Sequence, residues 1–556
     1  MPTPIRPDLG VQATVQTTTD KPMHKTLALL VRALRTESRD IKSHLFRFGL
    51  AGVVVLILLM GLSAMQYESA PGRVMFKAMT WANWVVVTLA GGTIFAIAIS
   101  EETEQQTLGL LRMANVSPLS LLLGKWLPRM LTAIVLISIQ FPFTWLTVTL
   151  GGVSWQQIWA SYLMLLAHLI LIGNLGLLCS VLKPTSAQAC TLTIGLMILS
   201  RLLPAIVWAV IAYAAESGWA SQATSLWFRD EVVLPLNLWS ASGRLFGEIL
   251  STSFQGDAWS PQVISNLAMG AVLFVVAWLI FDPVTMRHMS GGSERRSLRS
   301  RILGLFTRKT RKAGAVWNWA LGWKDFQQVG GGRWSVIGKF GLYGALFVTI
   351  LYINSQYSRD YRRSWETSCG VLAWITLFVL LPLDLCATAA KLFRPELTDH
   401  TWSTLLTLPK SLPEIAYSKL GGALLGLIPS VSVLCLSGAP FLGEFLPDMS
   451  RHPESFLVVA YLLAAVLVAL HLVTFFSISI NWAAWPIAMI LGVGVTFFGN
   501  VLIWTLFGIA MMGIGAGGGE ATMYAWLMLL TLGQLILAGV THYGIGLRLV
   551  AKGAEN

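Results

Sequence analysis

Charge is scarce in this chain. Asp, Glu, Lys and Arg account for 12% of its 556 residues, while 55% are hydrophobic. A soluble domain carries roughly 25% charged residues, so a soluble globular fold of this length is excluded. Cysteine is scarce as well: Cys179, Cys190, Cys369, Cys386 and Cys435 sit singly in apolar stretches. They lack the paired spacing of a disulfide framework or a zinc site and read as small hydrophobes. No G-x-x-x-x-G-K-[ST] phosphate loop exists, because Gly124-Lys125 and Gly338-Lys339 have neither the upstream Gly nor the following Ser or Thr. H-E-x-x-H and G-x-S-x-G are missing too, and the polar residues inside the apolar runs form no obvious catalytic set. The chain itself is expected to be no enzyme and to hold no cofactor or metal.

What it has in abundance is long apolar runs. Those long enough to cross a bilayer, about 20 residues, fall at roughly 48–66, 78–100, 127–150, 156–182, 188–214 and 262–281, then at roughly 338–353, 368–390, 419–440, 455–480, 482–512 and 523–547. The expected fold is an all-α polytopic membrane protein of about twelve transmembrane helices, arranged as two repeated six-helix halves. Residues 1–22, rich in Thr, Pro and Gln, read as a disordered tail, and no secretory signal is expected. The first half spans 23–282 and opens on an amphipathic helix, where Leu27, Leu30, Val31, Leu34, Ile41 and Leu45 recur at helical spacing among Lys25, Arg32, Arg35, Arg39 and Lys42. A basic linker, 283–337, precedes the second half, 338–556.

The net charge of +12 would suggest nucleic acid in a soluble protein. Here it reflects positive-inside topology, and no nucleic-acid partner is expected. The linker's cations, Arg295, Arg296, Arg299, Arg301, Arg308 and Lys309 among them, put it in the cytosol, and even span counts put both termini there too. The short loop carrying Arg359, Arg362 and Arg363 runs against that bias. The loop at 216–260 falls outside. With Trp219, Trp227, Trp239 and Trp259 it reads as interfacial or re-entrant helices rather than a free loop.

Between the second and third spans stands SEETEQQTLGLLRMANVSPLSLLLGKWLPRM, Ser100 to Met130. Three carboxylates, Glu101, Glu102 and Glu104, give way to an amphipathic run through Leu108, Leu110, Leu111 and Met113, and far more residues are present than a return loop needs. Roughly 294 residues later the chain repeats this turnaround in KLFRPELTDHTWSTLLTLPKSLPEIAYSKL, Lys391 to Leu420. Aligned without gaps, Glu102 falls on Glu396, Thr107 on Thr401, Leu111 on Leu405, Ser117 on Ser411 and Lys125 on Lys419. Internal similarity at one offset marks duplication.

An acidic end of the second span, then Thr-Leu, a Leu pair, Ser-Pro (Ser117-Pro118) and Gly-Lys opening the third span resembles the permease of a type 2 ABC exporter. In that family this segment is the coupling helix, seated on a cytosolic ATPase. The resemblance implies coupling residues Glu101, Glu102, Glu104, Thr107, Leu111, Ser117, Pro118 and Lys125 in the first half, and Glu396, Thr401, Leu405, Pro409, Ser411 and Lys419 in the second. It implies two copies of a separate ABC ATPase subunit, with ATP and Mg bound there. It also implies alternating-access export and a bacterial inner membrane, with the substrate left open. Gln106 stands where the family has Gly before the Thr, and the second copy keeps only Glu396 of the acidic cluster. Met289-Ser290-Gly291-Gly292-Ser293-Glu294-Arg295-Arg296 resembles an ATPase signature motif, but its interval is too short for an ATPase domain and reads as linker.

Four ionisable residues fall inside spans: His168, Arg201, Asp384 and His471. Charge at membrane depth is costly and is a functional hypothesis by default. Arg201 and Asp384 either line a pathway or serve structurally, Arg201 by pairing with Asp384 or a helix end. The two histidines are expected to be satisfied by neighbouring helices. An ion- or proton-coupled carrier using these four residues, and a scaffold that only holds partners, remain as rival readings.

Overall fold

The computed structural model describes residues 70–114, 116–216, 218–219, 221–251, 254–289, 318–357, 361–398, 400–451, 454–480, 485–514 and 520–555, with a few positions between 48 and 59. The N-terminal tail, the amphipathic helix after it, most of the first expected span and residues 290–317, which hold most of the ATPase-like motif, lie outside the described residues. Every regular element described is helical. Ten of the helices are long and apolar enough to cross a bilayer, and they coincide with the expected spans two to four and six to twelve. The fifth span lies within a helix whose described apolar stretch is Ser186–Ser200. The chain is a polytopic all-α membrane protein.

In the N-terminal set, α1 (Pro71–Val86) starts with Pro in its first turn, where a missing N–H costs nothing. It runs on through a π turn at Val87–Gly91 to Ala96. Two short helices follow, α2 (Ser100–Glu104) and α3 (Thr107–Met113), and then α4 (Pro118–Ile139), capped by Ser117, whose hydroxyl accepts the Ser120 N–H. Next come α5 (Trp155–Leu182), with a Ser154/Gln157 capping box, α6 (Ser186–Glu216) and α7 (Pro261–Met289). α5 lies against the end of the second span so closely that a Cβ on Gly176 would stand 2.9 Å from the Gly92 carbonyl oxygen.

Between α6 and α7 the expected outer loop is folded into short helices, Gln222–Phe228, Leu234–Leu238 and Ala241–Arg244. Ala241, Leu245 and Ile249 are fully buried in one core with Phe76 and Ile158. Arg244 fixes the segment internally, donating to the Asp257 carbonyl at 2.5 Å and to Gln262 Oε1 at 3.4 Å.

The C-terminal set begins with α8 (Ala320–Gln328), inside the interval read as linker, and continues through α9 (Gly332–Tyr357) and α10 (Tyr361–Ile375). A π turn at Thr376–Leu380 leads to α11 (Leu381–Lys391), so the second span of each set carries one π turn. Then follow α12 (Arg394–Thr398), α13 (Trp402–Leu406), α14 (Leu412–Leu424), α15 (Ile428–Arg451), α16 (Glu454–Ser479), α17 (Trp485–Ile514) and α18 (Glu520–Glu555). α8 is packed rather than free: a Cβ on Gly422 of α14 would stand 2.2 Å from the Gly322 carbonyl oxygen. Glycine at both positions lets α8 lie directly on α14.

Candidate functional site

The first turnaround is held by its own carboxylates. Glu102 accepts from Lys125 Nζ at the head of α4 and from the Thr107 hydroxyl at the head of α3, so one carboxylate fastens three helices. Glu101 lies 3.7 Å from Arg129. Glu104 accepts the Ser186 N–H at 2.9 Å and its hydroxyl at 2.8 Å, an anion at the N-terminus of α6, where the helix dipole favours it. Ser180 of α5 accepts the N–H groups of Ile99 and Ser100 at 2.7 and 2.9 Å, pinning the preceding turn. From α3, Arg112 donates to Asp282 and, at 2.7 Å, to Thr285, both on α7. The turnaround is therefore tied to the third, fourth, fifth and sixth spans.

The second turnaround uses the matched residues with more partners. Lys419 Nζ stands 2.7 Å from Glu396 Oε1 and 2.7 Å from Asp325 Oδ1, and all three side chains are at most 1% exposed. Lys324 Nζ lies 2.9 Å from the same Glu396 oxygen. Burial pushes the Asp325 carboxyl up from its ordinary value, with the Lys419 ammonium acting in the opposite sense. Ser411 caps α14 in a capping box with Glu414. Trp402, fully buried, donates its indole N–H to the Leu549 carbonyl at 3.0 Å, linking α13 to α18, the last span.

The residues aligned by sequence thus form the same pairs in space: Glu102 with Lys125, and Glu396 with Lys419. The backbone matches as well. Among the described residues only Gln106 (φ 57°) and His400 (φ 53°) are non-glycine residues in the left-handed region, and they too are 294 apart. Each sits just before the Thr that opens the short helix. That conformation suits Gly best, because a Cβ crowds the following carbonyl. The backbone at Gln106 therefore favours glycine, and this chain holds the conformation with a residue that costs some strain.

Of the remaining turnaround residues, Leu111 and Leu405 are half-buried, packed against their own sets, and Thr401, Pro409 and Ser117 are exposed. Pro118 opens α4. Exposed apolar side chains at the tips include Leu110, Met113 and Leu119 in the first turnaround and Leu408 in the second. The sequence marks Leu110 and Met113 as part of the amphipathic run, but the resemblance assigns coupling roles to neither of them nor to Leu408. The sequence reading also left Lys324 and Asp325 in the linker, although Ala320–Gln328 carries an amphipathic pattern that could have marked a packed helix.

Within the spans, Asp384 is engaged by Lys339, whose Nζ lies 2.8 and 2.6 Å from its two oxygens, and by the Ser430 hydroxyl at 2.9 Å. Arg201 lies in α6 and its side chain is outside the described residues. His168 meets the Thr88 hydroxyl at 3.0 Å, and His471 meets His542 at 3.3 Å. No group of three or more metal-binding side chains occurs among the described residues.

The described helices form a polytopic membrane protein in which a packed, ion-paired turnaround follows the second span of each set. Residues 335–503, from α9 through most of α17 and including the second turnaround, match the family model described as ABC-2 family transporter protein. That similarity supports an ABC-2 type permease component and, in general, pairing with an ABC ATPase subunit. No curated protein matches the chain.

Proposed function

We propose that this chain is the transmembrane permease of an ATP-driven exporter, with both halves in one chain and each turnaround acting as a coupling helix for one of two cytosolic ATPase subunits. The observation that carries the reading is the matched pair of turnarounds, with Glu102–Lys125 and Glu396–Lys419 at one sequence offset. The ABC-2 match over residues 335–503 supports it independently. ATP and Mg are held by the partner, both termini lie in the cytosol, and the membrane is a bacterial inner membrane.

The geometry suggests how force would travel. The carboxylates are engaged by residues of their own sets, so the ATPase contacts are assigned to the tips, Leu110 and Met113 in α3 and Leu408 beyond α13. An inward push on α3 is transmitted to α4 through Glu102–Lys125 and to α7 through Arg112–Asp282. A push on α13 reaches α18 through Trp402, and α14 through the Thr401 N–H, which donates to the Glu396 carbonyl at 2.9 Å, and the Glu396–Lys419 pair. Each set then tilts as a body, the motion that alternating access requires.

The test is a mild-detergent pull-down from membranes, scoring ATP hydrolysis and the stoichiometry of the copurifying ATPase. Two ATPase subunits per permease are expected. Leu110→Arg with Met113→Arg should release one of them while leaving insertion intact. A membrane crosslink that finds no ATPase beside either turnaround would overturn the coupling assignment.

A further inference from the structure

The C-terminal set forms a partly open apolar cavity of about 1480 Å³ at membrane depth, lined by the eighth to eleventh spans, with Val74 of α1 joining them. Trp374 and Phe378, Phe441, Ala465 and Phe497 represent the four spans on its wall, and no charged residue lines it. Small-molecule pockets usually measure about 300–1,000 Å³, so there is room here for a long chain. The corresponding spans of the N-terminal set are more deeply buried. The apolar windows of the second and fourth spans are 61% and 67% buried, against 22% and 28% for the eighth and tenth.

The lining is not uniformly apolar. Trp504 Nε1 donates to the Tyr461 hydroxyl at 2.8 Å, Tyr461 donates to Asn500 Oδ1, and Gln534 Nε2 donates to the same oxygen at 2.6 Å. Asn500 Nδ2 donates in turn to the Thr496 carbonyl at 2.7 Å. Tyr461, Asn500 and Trp504 all lie on the cavity wall, and Asn500 stands near the middle of α17. The Tyr461 oxygen, donating once and accepting once, keeps one lone pair for a further donor. A charged headgroup would be stranded in such a site, because burying an unpaired charge is prohibitive. A hydroxyl would be satisfied.

We propose that this cavity binds the transported molecule, a neutral amphiphile with a long hydrocarbon chain, chain in the apolar chamber and hydroxyl head at Tyr461, Asn500 and Trp504. Its role as cargo rests on the permease reading; its chemistry rests on the cavity alone. The test is photo-crosslinking of a diazirine-bearing C16 alcohol to the full chain in membranes, mapped by peptide mass spectrometry, with ATPase copurification scored on the same samples. Labelling is expected to concentrate on the eighth and eleventh spans. It should fall at least tenfold with Ala465→Phe, or independently with Ala373→Phe, and about three- to tenfold with Asn500→Leu, the loss of a neutral hydrogen-bonding group. Labelling no stronger on the cavity than on Leu529 and Val540, which face outward on α18, means bulk lipid only and overturns the proposal. So does labelling that both filling variants leave unchanged while they still insert and copurify ATPase. Cavity-specific labelling without any ATPase supports the binding site and overturns only the cargo role and the permease reading.

Discussion

Replacing Lys419 with Met is the most demanding test of how the second turnaround is held. The buried cluster contains two cations, Lys419 and Lys324, and two anions, Asp325 and Glu396, so it is neutral as built. Methionine keeps most of the volume and removes one cation, leaving two carboxylates at most 1% exposed with only the partly exposed Lys324 nearby. Breaking a buried pair by removing one partner costs about 3–5 kcal/mol, because the stranded charge has lost its compensation. At about 1.4 kcal/mol per tenfold, the folded-to-unfolded ratio falls by roughly two to three and a half powers of ten. Lys125→Met at the matched position should cost only about 1 kcal/mol, since Lys125 is 36% and Glu102 14% exposed and solvent screens the pair. The assay is unfolding of the purified chain in mixed micelles, followed by tryptophan fluorescence, which Trp402 beside the cluster will report. Equal losses for the two variants, or a loss near 1 kcal/mol for Lys419→Met, would refute the reasoning. A triple variant, Lys419→Met with Asp325→Asn and Glu396→Gln, should recover most of the stability, because the one charge left, on Lys324, is partly exposed to solvent.

The Lys419→Met variant should also gain a pH dependence. A carboxyl raised by burial binds its proton more tightly when folded, so its stability is present at low pH and lost as pH rises through the folded value. Urea or SDS midpoints should therefore fall as pH is raised from the acid range through the folded value, and a profile flat from the acid range upward would count against the stranded carboxylate. Gln106→Gly and His400→Gly should each leave stability unchanged or raise it by up to about 1 kcal/mol, since relief of the left-handed strain is offset by glycine's greater freedom when unfolded; a clear loss in either would show that the side chain carries a contact worth more than the strain. Glu104→Ala should loosen the start of α6, raising hydrogen exchange at Ser186 and the residues after it by about five- to tenfold, with little effect elsewhere. Asp384→Asn should lower stability by about 1–3 kcal/mol through the loss of Lys339's partner, and proton-driven flux dependent on Asp384 would instead revive the carrier reading.

Spans and turnarounds were legible because their signals are local or periodic. Twenty apolar residues announce a crossing, and the pairing of Glu396 with Lys419 lay in one repeated segment. Asp325 was not legible, because it is 94 residues from Lys419 and no pattern in Ala320–Gln328 says which carboxylate will meet which ammonium. Asp384 is a candidate partner for Arg201 on sequence grounds, yet it meets Lys339, 45 residues before it; charge in a span reveals a need for a partner without naming one. The cavity was hidden for a different reason. α16 and α17 are apolar all round, so nothing in their sequence separates a face that packs from one that stays open.

The unequal fastening of the two turnarounds has a mechanical consequence. Lys125 is 36% exposed, whereas Lys419 is sealed between two carboxylates. If two identical motors drive these linkages, one works through a compliant joint and the other through a stiff one. The same stroke would then give a smaller, more dissipated displacement on the N-terminal side and a larger one on the side that holds the cavity. Duplication would have produced a machine with one working arm and one bearing.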